Sequence, residues 1–447
     1  MTDLIARWNS AVNGVVWGPP MLILLIGTGV VLTVLTGGIQ FRHLHTALRE
    51  VLGKLTHRGG GAGSVTPFQA VATALASTVG VGNIAGVATA IFLGGPGALF
   101  WLWVSGVLGM ATKFSEIVIA LHYREPDAAG TMRGGAMYTL KKGLGLPWLG
   151  GVFALLTAVA AFGIGNMVQA NSVAESLKAS FGASPVLVGI ILVIVTAFVI
   201  LGGITRIADV TQYLVPFMAI FYLIGGILII ILRAGELPGV ISLVLQDAFT
   251  GTAATGGFIG STMIMAMRYG TARGLFSNEA GLGSAPMVHA AAQTDHPVRQ
   301  GMYGIFEVFV DTVLICTTTG LVILVTGVWD GGATGAALSA QAFQEGLGGW
   351  GDLVVTIGLV LFAYSTIIGW SYYGETGIVY LLGARATVPY RLAWLVFIYL
   401  GATGSLHLVW DIADTLNGLM AIPNLLSVLV SIPILLRLKR EFFEKKA

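Results

Sequence analysis

Charge is what this chain has least of. Of its 447 residues, 10% are Asp, Glu, Lys or Arg and 55% are hydrophobic. Soluble domains carry about 25% charged residues, and a chain of this size with so few could not cover a water-facing surface. Cysteine is scarcer still. Cys316 stands alone inside an apolar run, which excludes an internal disulfide framework and a cysteine-built metal cluster. Neither HExxH nor GxSxG occurs, and the histidines fall mostly in connections or at the ends of apolar runs, so an intramembrane enzyme finds no constellation here. The net charge of +2 is scattered without a basic stripe, which offers nothing to nucleic acid. The short alternating segments of a membrane β-barrel are missing as well.

Long apolar runs are what the chain has in abundance. Eleven are legible, over 16–40, 67–93, 97–122, 148–177, 185–203, 206–232, 247–268, 298–327, 351–382, 388–407 and 411–436. A bilayer core takes about 20 apolar residues per helix, so the reading is an all-α polytopic membrane protein with about 11 transmembrane helices. The first run is too long for a signal-peptide core. With eleven spans, alternate connections lie on opposite sides. Of the 23 lysines and arginines, Arg7, Lys178 and Arg233 fall on one side, leaving 20 on the other. The positive-inside rule then places the N-terminus outside and the tail RLKREFFEKK in the cytoplasm of a cell-membrane protein. The basic connection 41–66 is expected to lie along the cytoplasmic interface.

Two of the runs are poor helices. The second contains ASTVGVGNIAG (76–86), and the seventh contains TGGFIGST (255–262), both at mid-depth and entering from opposite sides. Four spans follow each. The pattern predicts one extra N-terminal helix with its loop (1–66), a five-helix unit (67–233) broken at 76–83, an inverted five-helix unit (247–436) broken at 255–262, and a basic tail (437–447). Paired interruptions in inverted halves mark the binding site of secondary transporters, because unwound backbone at membrane depth must line a cavity or be buried in protein. For either run alone, glycines that let helices pack closely remain an alternative.

Three blocks carry a family likeness: STVGVGNIAGVATAI (77–91), GGPGALFWLWVSGVLGMATKFSE (94–116) and RGLFSNEAGLGSAP (273–286). They resemble the alanine or glycine:cation symporters of bacteria and archaea, within the amino acid-polyamine-organocation superfamily, and the resemblance runs through essentially the whole chain. It implies sodium-coupled uptake of small neutral amino acids on a leucine-transporter-like inverted repeat, with one extra helix in front. A proton-coupled symporter is the alternative, and a passive channel a more distant one.

Within that frame a break at Val79–Asn83 would offer N–H groups to a substrate carboxylate, with Gly80 and Gly82 freeing the backbone and Thr78 and Asn83 adding side chains. By resemblance to the broader fold, the carbonyls of Ala76 and Val79 would face a sodium ion whose other ligands are Ser365 and Thr366. Hard cations take oxygen ligands. Trp370, one turn after Thr366, is read as a wall limiting substrate size. Asn166 and Gln169 share a helix face and are expected at the substrate, and Met263 and Met267 as further apolar walls. Asp311 is an intramembrane carboxylate that could hold a cation, carry a proton or pair with a buried polar group. Lys113 and Glu116 are expected to pair with each other at i,i+3. Arg268, Arg273 and Glu279 are expected at a cytoplasmic gate. No cofactor is expected beyond sodium as coupling ion, and the partners foreseen are an amino acid, Na⁺ and the bilayer, with the protein a monomer.

Overall fold

A computed structural model describes residues 2–53, 55, 59–250, 263–404 and 407–444. It is 84% helical. Helices α1 (Thr2–Val16) and α2 (Pro19–Leu35) form one long apolar element with a Gly-Pro-Pro joint. The short α3 (Ile39–Arg42) and α4 (Leu44–Leu52) follow, and α4 buries Ala47 and Val51 on one face.

The second run starts where local chemistry says a helix should. Thr66 Oγ1 accepts from Gln69 N at 3.1 Å and Gln69 Oε1 from Thr66 N at 3.0 Å, with Pro67 in the first turn of α5 (Pro67–Thr78). The helix stops because Val79 is extended (ψ 94°). A π-turn at Gly82–Gly86 leads into α6 (Val87–Gly94), and the axes before and after the stop differ by 51°. The break foreseen at 76–83 is therefore present.

Next come α7 (Ala98–His122), a two-stranded hairpin of β1 (Glu125–Pro126) and β2 (Met132–Arg133), α8 (Ala136–Lys142), and α9 (Pro147–Ala161) joined by a π-segment to α10 (Val168–Phe181). They are followed by α11 (Pro185–Ile200), α12 (Gly203–Leu232) and α13 (Leu237–Thr250). In the apolar window of α7, 83% of residues are buried, against 39% for α12. So α7 is a central column, while α12 turns Phe217, Ile224 and Ile231 outward to lipid.

The expected interruption at 255–262 lies outside the described residues. The described chain has an interruption farther on, between α14 (Met263–Asn278) and α15 (Ala285–His289). There Glu279, Gly281 and Gly283 take positive φ values of 55°, 98° and 77°, which no helix sustains. Antiparallel packing of α14 on α6 brings this second interruption level with the first: a Cβ on Gly82 would meet Phe276 at 3.1 Å, and one on Gly94 would meet Tyr269 at 3.2 Å.

The chain closes with α16 (Pro297–Val308), a π-segment at Phe309–Cys316, α17 (Thr317–Val325), α18 (Gly335–Leu347), α19 (Gly349–Leu382), α20 (Thr387–Thr403), α21 (His407–Val430) and α22 (Ile432–Glu444). Among the described residues, seven continuous helical stretches are long and apolar enough to cross a bilayer, and α5 with α6 makes a bent eighth. Of the other three expected crossings, α11 and α20 are 16 and 17 residues long, and the run 247–268 is only partly described.

Candidate functional site

The first interruption meets α19 at Gly80, beside Thr366, and the end of α14 at Gly82, beside Phe276 and Ser277. The carbonyls of Ala76 and Val79, freed by the end of α5, point at α19. Ser365 Oγ lies 3.0 and 3.4 Å from them, and Thr366 Oγ1 3.2 and 3.4 Å. The Phe362 carbonyl completes the group, 2.8 Å from Ser365 Oγ and 3.0 Å from Thr366 Oγ1. Five oxygens, none charged, thus form one cluster about the two hydroxyls. Oxygens sharing a cation at about 2.4 Å and at right angles lie about 3.4 Å apart, so the cluster fits a monovalent hard ion with little movement. The four ligands expected from the sequence are together; Phe362 was not foreseen, because a carbonyl donor leaves no side-chain signature.

Gly80 must lack a side chain, since a Cβ there would stand 2.5 Å from Thr366 Oγ1 and 3.4 Å from Gln169 Oε1. Gln169 is at the break as expected: its Oε1 accepts from Val81 N at 3.4 Å, while its Nε2 donates to Ile164 O in the π-segment of the same helix. The supply of free N–H groups is smaller than foreseen. Val79 N is bonded to Leu75 O, and Gly80 N donates to Asn83 Oδ1 at 2.9 Å. Buried amides do not stay unpaired.

Other expected site residues have different work. Thr78 Oγ1 bonds back to Ala74 O and Leu75 O on its own helix. Asn83 bridges the break and Asp311: its Oδ1 takes the Gly80 N–H and its Nδ2 donates to Asp311 Oδ1 at 2.6 Å. Asn166 donates to Trp394 O at 2.8 Å and so serves α20, away from Gly80. Met267 lies nine residues before Phe276 on α14, about 13 Å at the helical rise, and Met263 is a turn farther and 41% exposed. Neither forms a wall at the break. Trp370 is buried and donates Nε1 to Glu279 Oε1 at 2.8 Å; its ring packs over Gly165. It thus fastens the second interruption to α19.

Asp311 is wholly buried. Besides Asn83, it accepts from Ser277 Oγ at 3.0 and 2.9 Å and from Thr312 Oγ1 at 2.9 Å. Nearby, Lys113 pairs with Glu307 at 3.1 Å, which also meets His289 Nε2 at 3.1 Å. The expected Lys113–Glu116 pair is replaced, since Glu116 takes Gly281 N at 3.0 Å and Asn424 Nδ2. Tertiary partners outbid the i,i+3 neighbour because three buried carboxylates compete for one lysine. Of the residues expected at a cytoplasmic gate, Glu279 holds Trp370, while Arg273 stacks over Phe276 and lines the open cavity, so it stands away from the closed face.

A cavity of about 740 Å³ reaches Val81, Gly82 and Phe276 and is lined farther out by Arg273, Glu175 and Asp352. On the opposite face the molecule is fastened. Residues 64–65 pair with 291–293 (Ser64 N to Ala291 O 2.7 Å, Gln293 N to Val65 O 2.8 Å), and Arg124 binds the carbonyls of Ala290 and Ala292. One side of the site is open and the other closed.

Comparison with known proteins agrees with this architecture. The sodium:alanine symporter family model matches residues 2–447. The sodium/alanine symporter AgcS of Methanococcus maripaludis is 50% identical over 436 residues, covering 96% of this chain and 95% of that protein. The amino-acid carrier protein AlsT of Bacillus subtilis is 39% identical over 409 residues, 91% and 86% of the two chains. Among solved structures, MhsT in complex with L-phenylalanine superimposes with a TM-score of 0.56 at 14% identity, covering 85% of this chain and 99% of that one. The fold is leucine-transporter-like.

Proposed function

The chain belongs to the sodium:alanine symporter family, and on that premise we propose that it carries small neutral amino acids, alanine and glycine, into the cell together with sodium. It is a multi-pass secondary amino-acid symporter, not an enzyme. The observation that carries the sodium assignment is the five-oxygen group of Ala76, Val79, Phe362, Ser365 and Thr366. It is uncharged, and so suits a monovalent ion better than a divalent one. The name of the archaeal relative points the same way.

In this reading the amino acid binds beside the ion at Gly80, Gly82 and Gln169. Its carboxylate replaces Gln169 at the Val81 amide, and Trp370 and Phe276 bound its side chain. Thr78, Asn83 and Asn166 support the site without touching substrate. Transport proceeds by alternating access between a five-helix unit over 67–233 and an inverted unit over 247–436, with 1–66 and 437–447 as additions. The charge asymmetry supports an N-terminus outside and a C-terminus in the cytoplasm, so the cavity opens outward. Asn83 Nδ2 can only donate to Asp311 Oδ1, while Oδ2 faces the Ser277 and Thr312 hydroxyls, and it is there that the proton-coupled alternative would act.

The test is uptake of labelled alanine by proteoliposomes under an imposed sodium gradient or an imposed proton gradient. Accumulation driven by sodium alone is expected. Accumulation driven by protons and indifferent to sodium would overturn the ion assignment.

A further inference from the structure

Three basic side chains gather where α2 ends. The chain leaves α2 through Gly37 and Gly38, both left-handed (φ 70° and 68°), and turns into α3. A side chain begun at Gly37 would stand 3.6 Å from Arg42 Nη1 and 3.6 Å from Lys439 Nζ. The two cations therefore flank one glycine, within about twice that distance of each other. Lys439 comes from α22 and donates to Thr36 O at 2.5 Å. His43 follows Arg42 and stacks on Phe443 of α22, with ring centres 4.3 Å apart.

Nothing described answers this charge. Elsewhere on α22, Arg437 and Arg440 face Glu441 and Glu444 one turn on. Among the described residues no carboxylate pairs with Arg42, His43 or Lys439. Burial, then Lys439 and Arg42, hold the His43 imidazole below its ordinary value; burial, then Arg42, lowers Lys439. Capping the last carbonyls of α2 accounts for Lys439, but not for an exposed arginine held beside it. Directly above the cluster α2 shows lipid an apolar face: Val30 is 45% exposed, Val34 69%, Leu35 45%, and Phe41 below them 67%.

We propose that Arg42 and Lys439, with the His43 imidazole beside them, bind the phosphate of an anionic phospholipid whose acyl chains lie along the exposed face of α2. A phosphate's free oxygens accept from a guanidinium fork and an ammonium at once, and basic pockets beside transmembrane helix ends hold anionic headgroups. The lipid would splint the N-terminal helix to the C-terminal helix, two parts already joined by Lys439 and the His43–Phe443 stack. Free phosphate shares the headgroup's chemistry but lacks the chains that the apolar face would hold.

The experiment uses the full-length protein in detergent, incubated with equal amounts of phosphatidylglycerol and phosphatidylcholine and examined by native mass spectrometry. Thermal melting is followed in parallel with each lipid, and with phosphatidylcholine plus inorganic phosphate. Preferential retention of phosphatidylglycerol and a higher melting temperature with it are expected. Arg42→Gln should weaken that retention about five-fold, while Arg437→Gln leaves it unchanged. Lys439→Gln should act like Arg42→Gln, and if it melts early through loss of the α2 cap, Arg42→Gln alone decides. Equal retention of the two lipids, an Arg42→Gln protein that binds like wild type, or a full melting shift from inorganic phosphate with phosphatidylcholine would each overturn the proposal.

Discussion

Asn83 Nδ2 donates to Asp311 Oδ1 across 2.6 Å, and Ser277 donates to the same carboxylate. One side chain on the π-segment after α16 thereby holds the residue that caps the first interruption and the residue that precedes the second. Asp311 thus ties the two interruptions together.

Replacing Asp311 with Asn leaves Asn83 and Ser277 facing an amide that can donate as well as accept. Hydrogen bonds to a buried charge contribute about 1.5–3 kcal/mol. Asp311→Asn should therefore lower the initial rate of alanine uptake about ten-fold or more, in a protein that still elutes as a single species. A rate close to wild type would remove Asp311 from its positioning role.

Thr366→Ala and Ser365→Ala each delete one oxygen of the five-oxygen group. The sodium concentration for half-maximal uptake should rise about ten-fold in each, with the order of preference among amino acids kept. A variant in which sodium dependence is unchanged and substrate preference shifts would move these hydroxyls from the ion to the substrate.

Trp370 fills the space over Gly165 and holds Glu279. Trp370→Ala opens volume beside both interruptions and should admit larger neutral side chains, while Trp370→Phe keeps an aromatic ring and most of the volume, loses the bond to Glu279 and should slow transport with far less widening of specificity. Competition of alanine uptake by leucine and phenylalanine reads the difference. Unaltered competition in a folded Trp370→Ala protein would take the ring out of the substrate boundary.

Lys113 and Glu307 form a wholly buried pair. Removing one partner strands the other, at a cost of about 3–5 kcal/mol. Lys113→Met should lower the melting temperature more than the double change Lys113→Met with Glu307→Leu. If the double variant melts lower than the single, the pair is not what stabilises this contact.

The closed face can be locked. Val65 and Ala292 are bridge partners, and adjacent strands run about 4.8 Å apart, within the span of a disulfide. The buried Cys316, the sole cysteine of the chain, gives little background. Oxidised Val65→Cys/Ala292→Cys should bind alanine from the cavity side yet fail to transport it, and reduction should restore uptake. Full uptake while oxidised would mean that the 64–65 segment need not part from 291–293.

What was legible in the sequence was whatever side chains and glycines announce directly. Apolar runs predict the helices, and Gly80 and Gly82 with Ser and Thr alongside predict the first break. Ser365 and Thr366 were placed by family likeness and stand within reach of Ala76 and Val79. The rest hides for physical reasons. The Phe362 carbonyl belongs to a residue chosen for its ring. Phe276 reads as one more apolar residue until α14 packs on α6. The interruption expected at TGGFIGST lies outside the described residues, and a further one at 279–284 shows in Gly281, Gly283 and the positive φ of Glu279. Its own signal was the short spacing of those glycines after a carboxylate. Lys113 illustrates the limit of helix-local pairing, because its partner Glu307 comes from a helix nearly two hundred residues away.

The central claim is that one amino acid and sodium move together. The most direct measurement is radiosodium entry into proteoliposomes that hold equal sodium on both sides, started by adding alanine outside. Symport predicts a transient accumulation of radiosodium that depends on the alanine gradient and disappears in Thr366→Ala at the same sodium concentration. Alanine entry with no accompanying sodium movement would contradict the account.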